Sequence, residues 1–188
     1  GKAIEAALNQ KTNYNYEIFV SAPDDETLNV ARKYAKTEVF VNHILIGFTG
    51  SYLAKPPERT LDEALVLSQQ IKSQFAGGEV FSLLAKQYSD DPGVEKNSGS
   101  LGWVPWGATV KEFQTVAFGL KPGDVSHPVL TDFGYHLILV SDVRPSDYQY
   151  LDGEAYESLI VSLSKNSIRN QLRPAAVKYD SLKIESLG

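Results

Sequence analysis

Two histidines sit where leucine would bury more easily: His43 within VFVNHILIGF, residues 39–48, and His136 within DFGYHLILV. Each lies in a run whose apolar and β-branched residues predict a strand. With a period of two, His43 shares a face with Val41 and Leu45, and His136 with Gly134 and Ile138. The two are 93 residues apart, yet strands at opposite ends of a domain can become neighbours in one sheet. Residue types and spacing leave two readings open: separate, hydrogen-bonded core histidines, or one functional pair.

Other chemistries lack their patterns. There is no G-x-S-x-G elbow; the nearest string, SGSLGW, has Ser98 where the first glycine belongs. The three histidines show no helical H-x-x-x-H pairing, and the chain has no cysteine, so thiolate sites, disulfides and cysteine nucleophiles are excluded. DDPGVEKNSGSL lacks the alternating ligands and terminal Glu of a calcium loop. GFTG leads into a loop without a phosphate-binding lysine. No metal and no cofactor are therefore expected.

The elements that must position the histidines follow from local signals. Helices are expected at KAIEAALNQKT, at DDETLNVARKYA with Asp24 or Asp25 as N-cap, and at LDEALVLSQQIKSQF behind a Thr60/Glu63 capping box. Further helices are expected at VFSLLAKQYS and VKEFQTVAFGL, and a long amphipathic one after Pro145 on Tyr156, Leu159, Ile160 and Leu163. Strands are expected at 37–48, at 101–104, briefly within KPGDVSHPVL, and at YHLILVSD. Helices set between strands give an α+β architecture. Divided by these signals, 1–36 is an N-terminal helical flank, 37–145 the central domain and 146–188 a C-terminal helical flank.

Composition narrows the partners. The 188 residues are 43% hydrophobic and 22% charged, in the globular range, with a net charge of −5. That balance argues against a surface built for nucleic acid or anionic lipid. The apolar runs are too short to span a bilayer. The opening GKAIEAALNQ lacks a secretion-signal layout, although a removed segment is compatible with a chain that starts without Met.

Read in order, VNHILIGF, FSLLAKQYSDDPG, SGSLGWVPWG and EFQTVAFGLKPGDVSHPVLTDFGYHLILVSD resemble the parvulin family of peptidyl-prolyl cis/trans isomerases, over roughly 37–143. The resemblance implies a four-stranded antiparallel sheet surrounded by helices, its first and last strands adjacent at the centre. It implies that His43 and His136 pair through a network joined by Thr131, and that Asp91 holds the family's Cys-or-Asp position. It places Leu101, Thr109 and Phe113 in the proline pocket, Phe133 among the substrate-binding residues where relatives have Ser or an aromatic, and Trp103 and Trp106 at the substrate rim. Thr109 departs from the Met of most relatives and should loosen one wall. Without the resemblance, Leu101, Phe113 and Phe118 read as core, whereas two tryptophans in a Gly/Pro-rich loop read as a binding surface.

The expected function is isomerisation of Xaa-Pro bonds in unfolded or secreted polypeptides, with His43 positioning other groups. The alternative is a non-catalytic polypeptide-binding chaperone module on the same fold. Gly47 stands at the first basic position of the phosphate-reading relatives, so no phosphate requirement is expected. Asp in place of Cys, and the lead-in YAKTEVFVNHIL, point to an extracytoplasmic or periplasmic foldase. Its partners would be proline-containing, unfolded client chains. The flanks read either as part of a carrier in a longer multidomain protein or as helices packed on the back of the domain.

Overall fold

The computed structural model describes residues 23–166. The helix expected at KAIEAALNQKT, the aromatic NYNYEIFV and the part of the C-terminal helix beyond 166 lie outside the described residues. Within them run α1 (Asp25–Tyr34), β1 (Thr37–Ile46), α2 (Leu61–Ala76), α3 (Phe81–Tyr88), α4 (Val94–Asn97), β2 (Ser100–Pro105), α5 (Lys111–Ala117), β3 (Val129–Thr131), β4 (Gly134–Pro145), a 3₁₀ turn (Asp147–Tyr150) and α6 (153–166).

Capping chemistry sets the helix starts. Asp24 accepts the Thr27 N–H ahead of α1, and Thr60 and Glu63 close a reciprocal box ahead of α2. β1 ends at Ile46, two residues before the expected Phe48, because the loop after it folds back and Thr49 N–H donates to the Arg59 carbonyl. α4 and the 3₁₀ turn were not expected. Each is a single turn, too short for apolar periodicity to register.

The sheet is antiparallel in the order β2-β1-β4-β3, so the first and last strands are central, as the resemblance implies. The β1/β4 ladder runs from Thr37 opposite Pro145 to Ile46 opposite Tyr135. One face buries Val39, Val41, Ile138 and Val140 against α1, α5 and α6. The other buries Ile44, Ile46 and Leu137 against α2 and α3.

Residues from both flanks enter the first of these cores. Ala31, Ala35 and Ile160 are buried with it, Ser146 Oγ–H donates to the Ala35 carbonyl, and Tyr156 Oη–H donates to the Arg32 carbonyl. Trp106 belongs here too. At 4% exposure it stacks on Tyr34 (4.9 Å) and meets Phe118 edge-on (5.1 Å), so it is core and not substrate rim. A Gly/Pro-rich loop reads as exposed, but α1 lies outside the central sequence blocks and covers this indole.

Candidate active site

His43 and His136 lie on one face of the central ladder, because His43 pairs with Ile138 and Leu45 with His136, one diagonal step apart. Their rings are nearly parallel at 5.6 Å, and the two Nδ1 atoms are 3.3 Å apart. His43 Nε2 lies 2.6 Å from Asp91 Oδ2, and His136 Nε2 lies 2.8 Å from Thr131 Oγ1. The structure thus joins all four expected polar residues into one chain, buried except at its Asp91 end.

The chain has a direction. The His43 hydrogen bond, helped by the Gly93 N–H on Oδ1 and opposed by burial, holds the Asp91 carboxyl below its usual range. An ionised Asp91 only accepts, so His43 Nε2–H donates to it. Burial, reinforced by the neighbouring His43, lowers the His136 pKa to about 3, with Asp91 in partial opposition. One proton bridges the two Nδ1 atoms, and Thr131 Oγ1 shares another with His136 Nε2 while also lying 3.4 Å from the Gly134 carbonyl. Thr131 Oγ1 in turn accepts the Phe133 N–H at 3.1 Å. Every site along the line is satisfied, which is what tolerates imidazoles at 5% and 6% exposure.

Phe113 roofs this line. Its ring meets His43 and His136 edge-on, with centroids at 5.8 and 5.3 Å, and is itself 3% exposed. α5 positions it, and the buried Gln114 Oε1 accepts the Gly107 N–H, tying that helix to the loop that carries Thr109. Leu101, 37% exposed, sits at the bulge where β1 passes from Val41 opposite Gly102 to Asn42 opposite Ser100.

Trp103 is elsewhere, which corrects the expectation. It pairs with Phe40, meets that ring edge-on at 5.3 Å and lies 4.3 Å under the Arg144 guanidinium. Phe40 alternates with the buried Val39 and Val41, so Trp103 lies on the opposite sheet face from Phe113. Trp103 falls within the strand expected at 101–104, and the parity of that strand sends it away from the histidines.

Phe133 lines a cleft of about 260 Å³ beside the chain, with Phe48, Leu61, Val110, Glu112, Leu130, Thr131 and Asp132. Leu101, Thr109 and Phe113 are not among its walls. Its liners come from the loop after β1, the starts of α2 and α5, and β3 with the turn that follows it, and nothing in their separate sequence settings joins them.

Three supports also went unread. Ser89 Oγ accepts the Leu45 N–H, and Asp90 Oδ2 accepts the Gly47 N–H at 2.8 Å and pairs with Arg59 at 2.6 Å, fixing the turn that presents Asp91. The DDPG turn signal is the trace of them in the sequence. Gly99, at φ +83°, has its carbonyl 2.7 Å from the His43 N–H, and a β-carbon there would stand 2.6 Å from the His43 carbonyl. Gly99→Ala is therefore expected to destabilise the protein by about 1–3 kcal/mol, read as a lowered midpoint in urea.

A central β1/β4 ladder with this histidine–carboxylate line on one face defines a parvulin-type isomerase domain. The family description of a PPIC-type PPIASE domain matches residues 27–144, and the chain belongs to that family. Among curated relatives it is 40% identical over 117 residues to the foldase protein PrsA of Geobacillus kaustophilus, covering 61% of this chain and 39% of that one. It is 39% identical over 116 residues to the chaperone SurA of Chromohalobacter salexigens, covering 62% and 25%. The chain therefore spans well under two thirds of these relatives. The fold of the peptidylprolyl isomerase PrsA from Bacillus cereus superposes with a TM-score of 0.54 at 24% identity, over 97% of this chain and 72% of that one.

Proposed function

We propose that the domain catalyses cis/trans isomerisation of Xaa-Pro bonds in unfolded or extended polypeptides. The observation that carries this reading is the Asp91–His43–His136–Thr131 line beneath Phe113, in a chain of the PPIC-type family.

Amide resonance sets a barrier of about 18–20 kcal/mol, and each 1.4 kcal/mol removed speeds rotation about tenfold. Rotation needs no nucleophile. It needs an apolar surface to hold the pyrrolidine ring and a fixed polar environment that favours the twisted amide over the planar one. Phe113, with the Leu101 and Thr109 that the family resemblance groups with it, supplies the first, and the small Thr109 leaves that wall loose. Asp91, fixed by His43 and the Ser89–Asp90 turn, supplies the second. His43, His136 and Thr131 act through position, holding Asp91 and the Thr131–Phe133 turn at set places.

No phosphate is required before the proline. Gly47 puts no cation at the first basic position of the phosphate-reading relatives, and a β-carbon there would press on Leu53 Cδ1 at 2.5 Å and Pro57 Cδ at 3.0 Å. Arg59, whose guanidinium also reaches the Gly47 carbonyl, is held by Asp90.

The polypeptide clients, an extracytoplasmic or periplasmic setting and further domains of a longer chain fit the foldase and chaperone relatives. No helix among the described residues is long and apolar enough to cross a membrane.

Exchange NMR on short Xaa-Pro peptides tests the reading. Faster cis/trans exchange on a plain peptide, with no gain on its phosphoserine counterpart, is expected. Line broadening without faster exchange would show a binding module instead, and a preference for the phosphopeptide would overturn the specificity.

A further inference from the structure

The cleft beside the histidine line has a chemical asymmetry that its place in the site does not by itself require. Phe48, Leu61, Leu130 and Phe133 give it apolar walls, and its only charged liners are Glu112 and Asp132. Both carboxylates are on exposed residues, and neither forms an ion pair among the described residues. Arg59, the cation nearest Leu61 in sequence, is paired with Asp90. Thr131 and Phe133 belong both to the cleft and to the end of the polar line, so a group held here lies next to a proline held at Phe113.

We propose that this cleft selects a lysine or arginine flanking the substrate proline. The aromatic and leucine walls take the methylene stem, and Glu112 and Asp132 take the cationic head. Long basic side chains suit such a site, since they bury an apolar stem while the charged end stays hydrated between exposed carboxylates. A glutamate or phosphate in the same place meets two like charges among the cleft's liners. The inference rests on the isomerase reading and adds a substrate class to it.

The test compares kcat/KM by exchange NMR for peptides with Lys or Glu immediately before the proline, and for a second pair with Lys or Glu immediately after it. At low ionic strength a roughly tenfold preference for Lys over Glu is expected in at least one pair, as two exposed charge contacts of ordinary strength would give. The preference should shrink toward parity at about 0.5 M salt, where the screening length falls below about 5 Å. It should vanish in the Glu112→Gln, Asp132→Asn double variant and turn toward Glu in Glu112→Lys. Acceleration without charge preference in either pair, or a preference that survives in the double variant, overturns the inference and leaves the isomerase reading intact. No acceleration of any peptide overturns both.

Discussion

Asp91→Ala is expected to lower kcat/KM for a plain Xaa-Pro peptide by about 100-fold, with most of the loss in kcat. Asp91 is the carboxylate of the polar line, 2.6 Å from His43 and partly open to solvent, where the other three members are buried. A preorganised polar group aimed at a reacting centre is commonly worth about 10²–10³ in rate. Its carboxylate forms no part of the apolar wall at Phe113, so KM should move little. Removal also strands the His43 Nε2–H, a buried donor whose lost partner costs roughly 1–3 kcal/mol. A melt must therefore accompany the rate. Asp91→Asn retains an acceptor for His43 and separates charge from connectivity: it should restore the melting temperature more fully than the activity. A folded Asp91→Ala protein with the parent rate would show that the line is structural only.

How much of this was readable from sequence depends on whether a residue's role is local or parity-bound. The two histidines could be placed on strands, and Asp91 in a DDPG turn, because apolar runs and turn residues write themselves locally. The sequence physics could not decide between separate histidines and a pair, since only the β1/β4 register makes them diagonal neighbours. The ordered family blocks supplied that adjacency. Trp103 and Trp106 failed for opposite reasons. Trp103 is governed by strand parity in a stretch too short and glycine-rich to show it, and Trp106 is covered by Tyr34 of a flank that local reading treats as separate. Gly99 was visible only as part of SGSLG, and its need for a left-handed backbone appears once β2 approaches His43. The cleft residues Phe48, Leu61, Glu112 and Asp132 are brought together by loop closure alone.

The parent protein is expected to lose about 2–3 kcal/mol of stability between pH 7.5 and pH 4.5 through His136, and His136→Gln is expected to lose that portion of the slope. The imidazole titrates near 6.5 when unfolded and at about 3 when folded, mainly because burial disfavours its charged form. Below pH 6.5 the unfolded chain binds a proton that the folded chain refuses, so stability falls by about 1.4 kcal/mol per pH unit until the folded group itself titrates. Asp91 has the same sign in a lower window: its depressed carboxyl contributes stability above the unfolded value of 3.8, lost as pH falls through the folded one. At pH 4.5 that contribution is still largely present, which isolates the histidine. His136→Gln sacrifices the bonds to His43 and Thr131, so at pH 7.5 the variant should be the weaker protein. Urea midpoints followed against pH should then converge toward pH 4.5, where the parent has lost its advantage. Parallel curves would mean that His136 takes up a proton as readily folded as unfolded, overturning the neutral buried imidazole.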